Sequence, residues 1–274
     1  MLSILTNTES LNAQKNLSRT QKTLAGNFGR LSSGMRIKQS SDDAAGLAIS
    51  EKLKSQIRSL SQAERNTNDG ISLLQTAEGA MNEVSGMLVR MRELAMQSAN
   101  GTLGTDERGF LNDEFETLRD EIDRVATTTE FNGIKLLDGS ASGITFQVGI
   151  NSSANDQISI TIGDVHASAL SGLDSSDISS AAGATASLSV IDDAITALSG
   201  VRADVGTVQN RLNVTVANLQ SARENLSAAN SRIRDVDVAA ETAELAKNNI
   251  LMQAGVAILA QSNQTPSIAL SLLQ

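Results

Sequence analysis

SDDAAGLAISEKLKSQIRSLSQAERNTNDGISLLQTAEGAMNEVSGMLVRMRELAMQSAN, residues 41–100, is the stretch that decides the fold. Leu53, Leu60, Thr67, Leu74, Met81, Leu88 and Ala95 recur every seventh residue, and Ile57, Ile71, Val84 and Met91 supply a second row beside them. Paired rows at this spacing predict a helix that packs lengthwise against other helices. No proline interrupts the run, and at 1.5 Å per residue the helix would be roughly 80 Å long. Ser41 or Asp42 suits its N-cap, with Asp43 at its positive end. Asn100-Gly101 marks its close.

The same pattern spreads outward. Upstream, Leu17, Leu24 and Leu31 are seven apart, with Phe28 and Met35 on a neighbouring row, predicting an amphipathic helix over about 4–35 that ends near Gly34. Downstream, Leu111, Phe115, Leu118, Ile122 and Val125 alternate four and three apart, a second helix over about 106–128. The period then becomes two: Ile144, Phe146, Val148 and Ile150, then Ile158, Ile160 and Ile162, predict a β-hairpin at about 143–163. Residues 163–186 are rich in Ser, Ala, Gly and Asp and read as a short irregular connector. Ile191, Leu198, Val205, Leu212, Leu219, Leu226 and Ile233 restore the heptad in a long helix from near Ser187. After a break at SRIRDVDVA, a last helix starts near Val238.

Composition agrees with narrow helical seams. Of 274 residues five are Phe and none is Trp or Tyr, so leucine, isoleucine, valine, methionine and alanine must build the core. There is no cysteine for a disulfide or a thiolate metal site, and a net charge of −9 argues against a nucleic-acid partner. No apolar run is long enough for a membrane span, and the N-terminus lacks the charged and apolar blocks of an ordinary secretory signal. After Lys247 no side chain is charged through to Gln274. A tail of that kind needs burial that one molecule does not offer, which points to self-assembly.

Three stretches resemble the bacterial flagellins: RLSSGMRIKQSSDDAAGLAISEKLKSQIRSLSQAERNTNDGISLLQTAEGAMNEV, VRMRELAMQSANGT with DEIDRVATTTEFNGIKLLDG, and RIRDVDVAAETAELAKNNILMQAGVAILAQSNQTPSIALSLLQ. The resemblance implies a mainly α fold, an elongated coiled-coil bundle with one small β-hairpin and paired N- and C-terminal helices. Residues 1–41 and 234–274 would form the inner-tube domain and 42–233 the bundle domain, with 163–186 standing in place of the outer domains of larger relatives. The implied function is a structural, non-enzymatic subunit, secreted and polymerised into the flagellar filament for motility, with a hook–filament junction protein as the alternative. Implied partners are further copies of the chain, an export chaperone, the flagellar type III export apparatus, and the filament cap and junction proteins. A toll-like receptor is a further implied partner, met at Arg90, Leu94 and Glu114. Leu53, Leu60, Leu74, Met81, Leu88, Leu118, Ile122, Ile191, Leu198, Leu212, Leu219 and Leu226 are expected in the coiled-coil core. Leu17, Leu24, Leu31, Ile250, Ile258 and Leu272 are expected to serve polymerisation.

The sharper chemical readings are weaker than the structural ones. Adjacent Asp42 and Asp43 diverge on a helix, so capping outweighs metal or acid–base work. His166 is a lone histidine without ligands at metal spacing and reads as a solvated loop residue, and one histidine cannot supply the H-E-x-x-H of a metalloprotease. No cofactor is expected. Met81, Met87, Met91 and Met96 read as core or subunit-contact packing rather than a promiscuous groove.

Overall fold

The computed structural model describes residues 6–271, with side chains described as far as Gln264. Five helices and two small antiparallel hairpins follow in the order α1 (Thr8–Ser33), α2 (Ala44–Ser98), α3 (Thr105–Thr128), β1 (Glu130–Phe131), β2 (Ile134–Lys135), β3 (Ile144–Gln147), β4 (Gln157–Ile160), α4 (Ala181–Arg234) and α5 (Val238–Ser271). The chain divides into two compact units, Met1–Ile57 with Asn225–Gln274 and Arg58–Glu224, and the division falls inside α2 and α4. The fold is mainly α, with helices packed on helices.

In the unit of residues 58–224, the heptad positions do what their spacing requires. Leu74, Met81 and Leu88 of α2, Phe115 and Ile122 of α3, and Ile191, Leu198 and Leu212 of α4 are buried in one continuous core. Leu60 and Leu219 are also buried, whereas Leu118 remains half-buried. Thr67 is the one polar member of its row and is fully enclosed, its hydroxyl donating to the Ala63 carbonyl at 2.7 Å. That back-bond satisfies a group whose burial would otherwise cost free energy. In the other unit, Leu53 and Leu226 are half-buried.

Register in the predicted hairpin runs Ile144↔Ile160 and Phe146↔Ile158, which puts the alternating apolar residues on one face. Val148 is buried, but Ile150 lies beyond the strand and is exposed. A second hairpin, β1–β2, was not expected. Its turn is Asn132-Gly133, with φ of 51° and 79°, the double left-handed geometry that suits a two-residue primed turn.

The region read as an irregular connector is largely ordered and internal. Ile162 and Val165 donate backbone hydrogen bonds to the carbonyls of Ala141 and Leu137 at 3.0 and 2.9 Å. Val165, Ala167, Leu170, Leu173 and Ile178 are buried. The Ile178 amide donates to Asn112 Oδ1 at 3.0 Å, and its carbonyl accepts from the Ser98 hydroxyl. α4 begins six residues before the predicted start, at Ala181 rather than Ser187, with Ser180 Oγ accepting from the Gly183 amide at 3.1 Å as its N-cap. Its first turns bury only Ala184 and Ser187, which carry no large apolar group to announce a periodicity.

Candidate interaction surfaces

α1 and α5 pack against each other antiparallel, with three anchors along their length. Asn7 Nδ2 donates to the Ser262 carbonyl at 2.7 Å near one end, and Arg30 Nε donates to Glu241 Oε1 at 2.8 Å near the other. Between them a Cβ built on Gly255 would stand 3.3 Å from Leu17 Cδ1, so α1 approaches α5 closely at that glycine. Of the residues expected to serve polymerisation, Leu24 is buried and Leu17 and Leu31 are half-buried, and Leu17 meets α5 at Gly255. Ile250 and Ile258 are 65% and 60% exposed. Leu272 lies outside the described residues. The outward apolar surface also includes Leu11 and Phe28 on α1, which belong to its apolar pattern, and Leu251 and Val256 on α5, which the heptad reading did not single out. For α5 the available signal was the absence of charge after Lys247.

The turn between α1 and α2 is held by backbone bonds and carboxylates. Gly34 adopts φ 68°, which lets the helix close, and the Arg36 amide then donates to the Arg234 carbonyl at 2.7 Å. Asp43, not Ser41 or Asp42, caps α2: its Oδ1 accepts from the Gly46 amide at 2.9 Å. Asp42 faces backward and accepts from the Lys38 and Gln39 amides at 3.0 and 3.1 Å. Those two bonds favour the charged form and hold its carboxyl below the ordinary range.

On the unit of residues 58–224, α2 carries an exposed charged row. Arg90 donates to Glu114 Oε1 on α3 at 2.8 and 3.0 Å and to Glu93 Oε2 at 3.0 Å, and Arg92 reaches Asp192 on α4 at 2.7 Å. The hydrogen bonds to Glu114 and then Glu93 raise the Arg90 guanidinium above its usual value. Leu94 does not share this surface. It is 0% exposed and belongs to the core beside Met91 and Ala95, three residues on from the one and next to the other, on the buried flank of α2. Met81 and Met91 are likewise buried, Met87 is half-buried and Met96 is 54% exposed.

His166 is not the freely solvated loop residue expected. Its Nδ1 lies 2.6 Å from Asp164 Oδ1 and its Nε2 3.2 Å from Thr127 Oγ1, while the next amide, Ala167, donates to Asp123 Oδ1 at 2.8 Å. The Asp–His–Thr row resembles an activated hydroxyl, but the Thr127 hydroxyl donates to the Asp123 carbonyl at 2.8 Å. Its proton is committed to the helix, and the cluster pins the 164–167 segment to α3. Among the described residues no group of three or more His, Asp or Glu side chains is placed to hold a metal ion. None of the described helices is long and apolar enough to cross a membrane.

Comparison with known proteins is consistent with this geometry. Residues 4–142 match the bacterial flagellin N-terminal helical region, and residues 188–273 match the bacterial flagellin C-terminal helical region. The chain belongs to the bacterial flagellins. This flagellin is 47% identical over 272 residues to a flagellin of Halalkalibacterium halodurans, with 98% of each chain covered. It is 45% identical over 304 residues to a flagellin of Bacillus subtilis, again with 98% of each covered. Among solved structures it resembles Bacillus cereus flagellin, with 34% identity and a TM-score of 0.50, over 61% of this chain and 94% of that one. The relatives are structural flagellins rather than enzymes.

Proposed function

We propose that this flagellin is the structural subunit of a bacterial flagellar filament and polymerises through its paired terminal helices. The observation that carries the reading is the outward face of α5, where Ile250, Leu251, Val256 and Ile258 stand 48–65% exposed on a segment with no charge after Lys247. Burying one such side chain contributes about 1.5–3 kcal/mol, and further copies of the same chain, stacked around a common axis, offer that burial many times over. The inner-tube domain is then residues 1–41 and 234–274 and the surrounding shell residues 42–233. Leu17, Leu24 and Leu31 serve polymerisation indirectly, by holding α1 against α5, and Ile250 and Ile258 directly.

In this reading the chain is secreted through the flagellar type III apparatus with an export chaperone and meets cap and junction proteins, as its resemblance to the flagellins implies. A toll-like receptor is a further partner in this reading. It would meet the exposed Arg90–Glu114 pair, with Leu94 supporting that face from within.

Removal of residues 248–274 tests the main proposal. The truncated chain remains helical by circular dichroism and fails to pellet when seeded with filament fragments. Seeded polymerisation at the full-length level refutes it.

A further inference from the structure

The apolar part of the α1–α5 seam does not define its own alignment. Leu17, Leu24 and Leu31 repeat every seven residues on α1, and Leu245, Met252 and Leu259 do so on α5. Sliding one helix by a heptad, about 10.5 Å, exchanges leucine for leucine or methionine and changes little in apolar contact. Nor are the apolar residues of α5 gathered on this face alone. The half-buried and buried row at alternating four- and three-residue spacing is Glu241, Leu245, Asn248, Met252, Gly255, Leu259 and Ser262, while Ile250, Val256 and Ile258 point away. Apolar burial alone therefore fixes neither the rotation nor the position of α5 beyond its backbone bonds at Gly34–Arg36 and Arg234–Val236.

We propose that a polar lock, made by Asn27, Arg30 and Glu241 at one end and Asn7 and Ser262 at the other, fixes the register and the facing of the α1–α5 pair. Arg30 Nε donates to Glu241 Oε1 at 2.8 Å, and its Nη2 donates to Asn27 Oδ1 at 2.9 Å. Glu241 is only 14% exposed, so a displaced register would strand its carboxylate without a cation. Asn27 is wholly buried and aims the guanidinium, yet its own Nδ2 has no partner, and neither does Nδ2 of the buried Asn248. An unpaired buried donor costs stability, so these amides weaken the pair while selecting its alignment. A polar side chain at a helical core position has this effect in coiled coils generally. At the far end Asn7 Nδ2 reaches the Ser262 carbonyl at 2.7 Å and Ser10 Oγ reaches Asn263 Oδ1 at 2.8 Å. A shift of one heptad parts all of these bonds. The inference rests on the filament reading only for the use of the outward face, which a slipped or rotated α5 would misplace.

The absence of native cysteine allows a direct test. Gly255→Cys is combined with Leu17→Cys, the native neighbour, or with Leu24→Cys, one heptad out, in the full chain, and a short thiol cross-linker is applied to pelleted polymer and to soluble chain. The native background cross-links only the first pair. Asn27→Leu raises cross-linking of the second pair about tenfold, equivalent to about 1.4 kcal/mol, without lowering the melting temperature of the helices. Arg30→Glu does the same, and adding Glu241→Arg restores the native pattern. Equal cross-linking of both pairs in the native background overturns the proposal, as does a second-pair yield that neither Asn27→Leu nor Arg30→Glu increases. Failure to pellet bears on the filament reading alone, because the soluble chain still reports the register.

Discussion

Replacing Leu94 by alanine and Arg90 by alanine separates packing from surface recognition within a single turn of α2. Leu94 is 0% exposed and surrounded by the core of the 58–224 unit. Truncation there removes buried methyl and methylene groups and leaves a cavity, for which about 2–5 kcal/mol is the usual cost. For a unit of this size each kcal/mol lowers the melting temperature by about 2–4 °C, so Leu94→Ala should melt about 4–20 °C lower. Arg90 is exposed, and its bonds to Glu93 and Glu114 lie in high-dielectric surroundings. Arg90→Ala should therefore leave the melting curve nearly unchanged while weakening toll-like-receptor signalling in a reporter cell line. Calorimetry and the reporter assay on the same preparations give both readings. A Leu94→Ala protein that melts within about 1 °C of the parent refutes the packing argument, and undiminished signalling by Arg90→Ala removes the receptor proposal.

Acid should loosen the turn between α1 and α2. The Asp42 carboxyl titrates below its ordinary value, so its bonds to the Lys38 and Gln39 amides are fully present above about pH 4 and are lost as pH falls through the lower folded-state value. Amide exchange at Lys38 and Gln39, normalised to the intrinsic rate at each pH and followed downward from about pH 5, should accelerate in the parent and stay constant in Asp42→Asn. Acceleration of equal size in both would show that another group controls the turn. Ile178→Ala should destabilise the 58–224 unit by about 2–5 kcal/mol in urea titration, since Ile178 is 0% exposed. A loss under about 0.5 kcal/mol, as at an ordinary surface site, would mean that the 164–178 segment is not part of the core.

What could be read in the sequence divides along a physical line. Leu74, Leu88, Ile191 and Leu212 announced α2 and α4 because large aliphatic groups at a fixed interval are both the signal and the structure. The segment 163–178 gave no such signal, because its buried Val165, Ala167, Leu170, Leu173 and Ile178 follow no fixed interval and its order comes from the Val165 backbone bond to Leu137 and from the Asn112, Asp123 and Ser98 side chains. Strands of two residues cannot show an alternation, so β1–β2 was visible only through Asn132-Gly133. The burial of Leu94 was illegible for a different reason. Its proposed contact rested on its place in the VRMREL motif, whereas its burial comes from lying between the core residues Met91 and Ala95 on a flank that the two heptad rows do not mark.

α5 reverses the ordinary reading altogether. A helix of a self-sufficient domain gathers its apolar residues on its inward face, but here Leu245, Met252 and Leu259 share the seam with Glu241, Asn248, Gly255 and Ser262 while Ile250, Leu251, Val256 and Ile258 are exposed. Contacts within one chain do not account for that distribution, since they leave large apolar groups of α5 in water. The arrangement becomes favourable when the outward stripe is covered by neighbouring copies and the polar seam carries alignment instead of most of the stability. A truncation at Lys247 and a charge reversal at Arg30 therefore probe complementary faces of one helix pair: the first removes the surface that copies bury, and the second leaves that surface chemically intact but misaligned.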